Sequence, residues 1–212
     1  MNEAFNDLKE EKKQKIINAA LKEFTERGFN LASTNNIVKE AEISKGLLFY
    51  YFAGKEELFL FLANHALSIV KNDYLNKLDE SETDYIEKLR KAGVLKFKIF
   101  LNHQLVFDFI ASLYLKDSYA HLTKEMIEEF QNGRIEFERK LYNNINKDLF
   151  KDDVYSDKIM EMISFCLSGY EKKITDQIIN AKEINYENYW QDFYQFLDNL
   201  KKIFYKKTED NK

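Results

Sequence analysis

The sequence predicts an all-α fold, and three observations carry that expectation: no proline in 212 residues, only six glycines, and apolar residues recurring at helical spacing along most of the chain. Sheet proteins need Pro and Gly to shape many tight turns, whereas long helices joined by short connections do not. No stretch alternates apolar and polar residues over several positions between turn residues, so no strand is expected. The expected layout is three short helices followed by a larger helical bundle, about nine helices in all.

In the first periodic stretch Ile16, Ile17, Ala20, Leu21 and Phe24 fall on one helical face, and Gly28 follows where a left-handed end is cheapest, which predicts a helix over 10–27. Ser33 and Thr34 are placed to cap a second short helix bearing Ile37, Val38 and Ala41. Ser44 is placed to cap a third, from Lys45 to Phe52. Gly54 breaks the chain again, and Lys55 opens a long helix to about Lys77 that carries Leu58, Phe59, Leu62, Ala66, Ile69 and Val70. After the polar gap Asp79–Asp84, helical periodicity runs through 86–100, 105–115, 126–145, 159–179 and 189–204, with polar separators at 116–121, 146–157 and 181–185. The first few residues and 206–212 are polar and are expected to fray. The domain division that follows is 1–54, 55–206 and a short tail, 207–212.

Composition excludes several classes of function. No apolar run approaches the ~20 residues needed to span a bilayer, and the charged start lacks the apolar core of a signal peptide, so a cytoplasmic chain with no membrane partner is expected. The single Cys166 cannot form an internal disulfide. His65, His103 and His121 share no metal-ligand spacing, no glycine loop could cradle a phosphate, and no acid, base and nucleophile fall together. Neither an enzyme nor a cofactor or metal site is expected.

The informative segment lies between Thr34 and Tyr51. Ile37, Val38, Ala41, Ile43, Leu48 and Tyr51 reproduce the spacing of a helix-turn-helix: one helix, a corner plugged by Ile43, and a second helix held by Leu48 and Tyr51. The second helix then presents Lys45, Gly46, Phe49 and Tyr50 outward. Gly46 stands inside that helix, where glycine costs about 1 kcal/mol relative to alanine, and close approach to DNA is one reason to bear that cost. A three-helix cap on a bundle would need the same apolar spacing, but it gives no reason for Lys45 and Gly46.

In order along the chain, AALKEFTERGF, STNNIVKEA, ISKG and YYFAGKEEL lie within residues 15–59. This segment closely resembles the DNA-binding domain of the TetR family of one-component transcriptional regulators. The resemblance implies phosphate contacts from Thr34, Tyr51 and Lys55, and base-edge contacts from Asn35, Lys45, Gly46, Phe49 and Tyr50. Three positions depart from the family pattern: Leu47 where threonine is common, Phe49 where tyrosine is common, and Glu42 in place of the usual turn glycine. The charge of residues 1–54 is balanced, with Lys9, Lys12, Lys13, Lys15, Lys22, Arg27, Lys39 and Lys45 against Glu3, Asp7, Glu10, Glu11, Glu23, Glu26, Glu40 and Glu42. Few phosphates are then neutralised, so a modest salt dependence is expected.

Beyond residue 59 the resemblance is one of helical layout, and it implies a ligand-binding and dimerisation bundle. Phe100, His103, Gln104, Phe107, Phe137, Phe165 and Tyr170 are candidates to line an effector pocket, His103 and Gln104 supplying the polar groups a pocket needs. The aromatics among them serve equally well as core. Met160, Ile163, Ser164, Leu167 and Ser168 run down one side of the penultimate helix, and Trp190, Phe193, Tyr194 and Leu197 form the stripe of the last. Such stripes can close a bundle internally, or pair across a twofold axis into the homodimer the resemblance implies. The expectation is therefore a homodimeric repressor that binds a near-palindromic operator and is released by a small apolar or aromatic effector. The alternative is a helical small-molecule or lipid-binding protein without specific DNA binding.

Overall fold

The computed structural model describes residues 3–115, 118–152, 154–180 and 186–207. The α-helices among them are α1 (Glu3–Asn6), α2 (Glu10–Leu31), α3 (Thr34–Glu40), α4 (Lys45–Tyr51), α5 (Lys55–Ile69), α6 (Tyr85–Asn102), α7 (Gln104–Leu115), α8 (Lys124–Tyr142), α9 (Ser156–Asn180) and α10 (Tyr186–Phe204). The described residues contain no strand, only one isolated antiparallel bridge between Phe150 and Tyr205. The separator expected at 181–185 lies outside the described residues, as do Lys116 and Asp117 of the one expected at 116–121.

The chain divides into two compact units, 1–78 with 95–138, and 79–94 with 139–212, so α6 and α8 each contribute residues to both. In the first unit α2 supplies the centre of the core through Ile16, Ala20, Leu21 and Phe24, packed with Ile37, Leu48, Phe59, Leu62 and Phe109. Gly28 interrupts α2 at φ 67°, ψ 172°, a region essentially reserved for glycine. The turn after it swings Phe29 sideways, its ring edge-on to Phe59 at 5.1 Å and stacked on His121 at 4.0 Å.

Two expectations about continuity need correction. The helix from Lys55 is not uniform to Lys77: α5 ends at Ile69, and the chain passes through a π-helical turn at Val70–Tyr74 and a 3-10 turn at Leu75–Lys77. It is therefore not a single straight rod. The expected gap between 100 and 105 narrows to His103, whose N–H is shared by the carbonyls of Ile99 at 2.9 Å and Phe100 at 3.1 Å before α7 restarts.

The ends of the chain also differ from the expectation of fraying. Phe5, in the short α1, is only 2% exposed. Tyr205 is buried against Phe150 with ring centroids 5.1 Å apart, and the Lys206 N–H donates to the Leu149 carbonyl at 2.9 Å. Residues 208–212 lie outside the described residues.

In the second unit Tyr85, Ile86 and Leu89 are buried, as are Ile159, Met160 and Ile163 of α9 and Leu197 and Leu200 of α10. Asp84 organises the start of α6: one carboxylate oxygen accepts from the N–H groups of Ile86 and Glu87 at 3.0 and 3.1 Å and from the Tyr205 hydroxyl at 2.7 Å. The other oxygen meets Lys201 Nζ at 2.6 Å.

Candidate nucleic-acid interface

The helix-turn-helix is built by local capping. Ser44 Oγ accepts the Leu47 N–H at 3.1 Å, which starts α4 where the sequence places it. The start of α3 is served differently from the expectation, because neither Ser33 nor Thr34 caps it with a side chain. Glu23 reaches over from α2 instead, accepting from the Ser33 N–H at 2.8 Å and from Asn36 Nδ2 at 3.2 Å.

The turn between α3 and α4 closes with two hydrogen bonds, Ile43 N–H to Val38 carbonyl at 3.0 Å and Glu42 N–H to Lys39 carbonyl at 3.3 Å. That pairing requires a left-handed residue between them, and Glu42 adopts φ 55° there. The non-glycine noted in the sequence thus sits in the conformation glycine would prefer. Its carboxylate is held by Lys15 Nζ at 3.0 Å.

These caps leave one face of α4 open. Lys45 and Gly46 are exposed, as are Phe49 and, at 58%, Tyr50, while Leu48 on the opposite side is buried. Lys45 Nζ lies 5.9 Å from the centre of the Phe49 ring. A Cβ built on Gly46 would meet nothing within 4 Å, so no packing inside this chain demands glycine there. Asn35 is exposed and Thr34 half-buried at the first turn of α3. Lys15, Lys22 and Arg27 are paired with Glu42, Glu40 and Glu23, so much of the balanced charge cancels within the domain.

Two of the expected phosphate contacts are placed elsewhere. Tyr51 is 5% exposed, edge-on to Phe5 at 5.6 Å, so it belongs to the core: helical rotation carries it to the same side as Leu48. Lys55 Nζ donates to three carbonyls at the end of α2, those of Phe29, Asn30 and Ala32, at 2.8, 3.2 and 3.3 Å, with its charge 4.8 Å from the Phe29 ring centre. It caps a helix end.

The pocket candidates fall in both units. Phe100, His103, Phe107 and Phe137 are half-buried in the first unit and Gln104 is exposed there, with the Phe100 and Phe107 rings 5.9 Å apart. His65, which the sequence did not single out, joins this neighbourhood: burial, and then the nearby His103, lower its pKa from the ordinary value, against a weaker pull from Glu10. In the second unit Phe165 is 70% exposed, and Tyr170 stacks on Phe196 at 4.4 Å and bonds Asp192 at 3.2 Å.

The expected subunit face needs correction as well. Ile163 and Leu197 have no exposed surface and Met160 is buried, so they hold the second unit together and have nothing to offer a partner. Ser164 faces inward to the hydroxyls of Tyr85 at 2.9 Å and Tyr142 at 2.6 Å. Phe193 lies against Gly93, where an added Cβ would come within 2.8 Å of the ring. Leu167 and Trp190 are half-buried, whereas Ser168 and Tyr194 are exposed. The exposed apolar side of α9 is the next one round, with Met162, Phe165 and Cys166.

Residues 16–62, from α2 through the first half of α5, match the profile of bacterial regulatory proteins of the tetR family. Over this segment the chain is similar to the TetR family. It is 36% identical over 119 residues to the uncharacterized HTH-type transcriptional regulator YuxN of Bacillus subtilis, covering 55% of this chain and 38% of that protein. It is 30% identical over 143 residues to the HTH-type transcriptional regulator QacR of Staphylococcus aureus, covering 66% of this chain and 61% of that one. The chain thus spans less than two thirds of the length of these curated relatives. Among solved structures, a TetR family transcriptional regulator from Chloroflexus aurantiacus superposes with a TM-score of 0.69 at 20% identity, over 97% of this chain and 99% of that one. The ketosteroid transcriptional regulator KstR2 of Mycobacterium tuberculosis gives a TM-score of 0.63 at 17% identity, over 95% and 98% of the two chains. The TetR-type layout therefore extends through the whole described chain as a fold. Among the described residues no helix is long and apolar enough to cross a membrane.

Proposed function

We propose that this chain is a TetR-family repressor that binds a near-palindromic operator as a homodimer and is released by a small apolar or aromatic effector. The observation that carries the DNA-binding part is the open face of α4, where Lys45, Gly46, Phe49 and Tyr50 are exposed on a helix fixed by the Ser44 cap and buried Leu48. A capped helix end bearing a lysine, a bare backbone and two aromatics suits insertion into a major groove.

The effector reading rests on Phe100, His103 and Phe107, around the break between α6 and α7. Structural neighbours of the same fold include the ketosteroid regulator KstR2 and a gamma-butyrolactone receptor, whose names point to small, largely apolar ligands. α7 packs against both α2 and α5 within the first unit, so a ligand that shifts α7 acts on helices that carry the helix-turn-helix. Coupling of this kind typically changes DNA affinity about 5–150-fold, and operator must weaken effector by the same factor.

The deciding experiment is selection of bound duplexes from random DNA, followed by affinity measurement on the selected duplex and on the DNA flanking the protein's own coding region. A palindromic consensus, lost in Lys45→Ala or Tyr50→Ala, supports the reading. Enrichment of no sequence favours the alternative, a helical small-molecule or lipid-binding protein.

A further inference from the structure

The family match begins at residue 16, yet Phe5, eleven positions earlier, is buried against the back of the reading helix. Its ring lies 5.6 Å from Tyr51 and 4.9 Å from Phe52, at the end of α4, and 5.3 Å from Phe61 on α5. Phe52 and Phe61 are themselves 5.3 Å apart, so Phe5 completes a cluster that spans the two helices. Phe61 in turn stacks on His65 at 6.3 Å, which brings the cluster to the neighbourhood of His103.

α4 has seven residues, too few to hold a helix in water without tertiary packing. Its inward anchors are Leu48 in the middle, with Tyr51 and Phe52 at the end, and Phe5 covers that end. We propose that Phe5 is a positioning residue for DNA reading: it wedges α4 against α5, so that the face bearing Lys45 and Tyr50 keeps one orientation and follows α5 when α5 moves. Phe5 touches no DNA in this role. The proposal rests on the DNA-binding reading above only for its consequence on affinity, because the ordering of α4 can be measured without DNA.

The test compares full-length parent, Phe5→Ala and Phe5→Leu. Amide hydrogen exchange of the free proteins should accelerate at least about tenfold across α4 in Phe5→Ala, leave Ile16–Phe24 of α2 near parental, and return most of the way in Phe5→Leu. On the duplex selected by the parent, Phe5→Ala should lose about tenfold or more in affinity, with an unchanged slope of log affinity against log salt and recovery in Phe5→Leu. Unchanged exchange in α4, or equal acceleration in α2 and α4, overturns the proposal. A reduced salt slope also overturns it, since α1 would then be touching phosphates directly. If the parent selects no duplex, the DNA-binding reading fails, and the exchange result still decides whether Phe5 orders α4.

Discussion

Lys55 Nζ lies 2.8 Å from the carbonyl oxygen of Phe29 and ties the first residue of α5 to the last turn of α2. The end of α2 has unsatisfied carbonyls beyond Gly28, and the ammonium gathers three of them while resting over the Phe29 ring. Hydrogen bonds from a charged group contribute about 1.5–3 kcal/mol, whereas a contact made only with a DNA phosphate adds nothing to the stability of the free protein. Lys55→Met should therefore lower the stability of the free protein by about 1–2 kcal/mol. Denaturant unfolding checks this, and a midpoint equal to the parent's would return Lys55 to the role of a plain phosphate ligand.

Gly46 offers a test in which stability and function move oppositely. A Cβ there meets nothing, and alanine is favoured over glycine inside a helix by about 1 kcal/mol, so Gly46→Ala should raise the unfolding midpoint. If α4 enters the groove as proposed, affinity for the selected duplex should fall about tenfold or more, because the added methyl would occupy space the DNA needs. A variant that is both more stable and equally tight on DNA would remove Gly46 from the interface.

Glu42 holds φ 55° at the turn, a conformation that costs a side-chain-bearing residue about 1 kcal/mol or more. Glu42→Gly relieves it and gives up only the exposed pair with Lys15. The variant is expected to be more stable by up to about 1 kcal/mol, as read from chemical denaturation. A loss of stability would mean that the Lys15 pair outweighs the backbone strain.

Asp84 makes stability depend on pH. Burial alone would raise its pKa, but Lys201, the Tyr205 hydroxyl and the Glu87 N–H outweigh this and hold the carboxyl below its ordinary value. A depressed folded pKa means that the contribution is complete above the unfolded value, near pH 4, and drains away as pH falls through the lower folded one. Asp84→Asn should melt earlier than the parent at neutral pH, and the gap in Tm should narrow below about pH 4. A gap of constant size down to pH 2.5 would show that the charge of Asp84 contributes nothing.

Subunit pairing, if it uses α9, must use the side that is open. Phe165→Asp should shift the mass in light scattering from dimer to monomer while far-UV helicity is kept. Ile163→Asp should unfold the protein, because it places a charge where no surface is exposed. A Phe165→Asp protein that remains a dimer would move the interface away from this side of α9.

Much of the candidate interface was legible because its signals are local. Ser44 stands one residue before its helix, Ile43 and Leu48 keep the spacing of the turn, and Lys45, Gly46, Phe49 and Tyr50 emerge on the face opposite Leu48. Tyr51 was assigned an outward contact through family resemblance, although its spacing three positions after Leu48 already put it on the inner side. Phe5 was hidden for a different reason. A four-residue helix with Ala4 and Leu8 as apolar neighbours is too short to show a periodicity, and the aromatic partners of Phe5 in α4 lie more than forty residues away.

The sequence by itself determined the helical class, the helix-turn-helix and the exposed face of α4, since these follow from caps, breaks and apolar spacing within a few residues. Tertiary structure alone decided which side of α9 is buried. That helix carries Met160 and Ile163 on one side and Met162, Phe165 and Cys166 on another, so its apolar pattern fits either choice, and the packing of Ile159, Met160 and Ile163 within the second unit settles it. The same holds for Lys55. A lysine after a glycine looks solvated in a linear chain, and only the return of α5 beside the end of α2 brings three carbonyls within its reach.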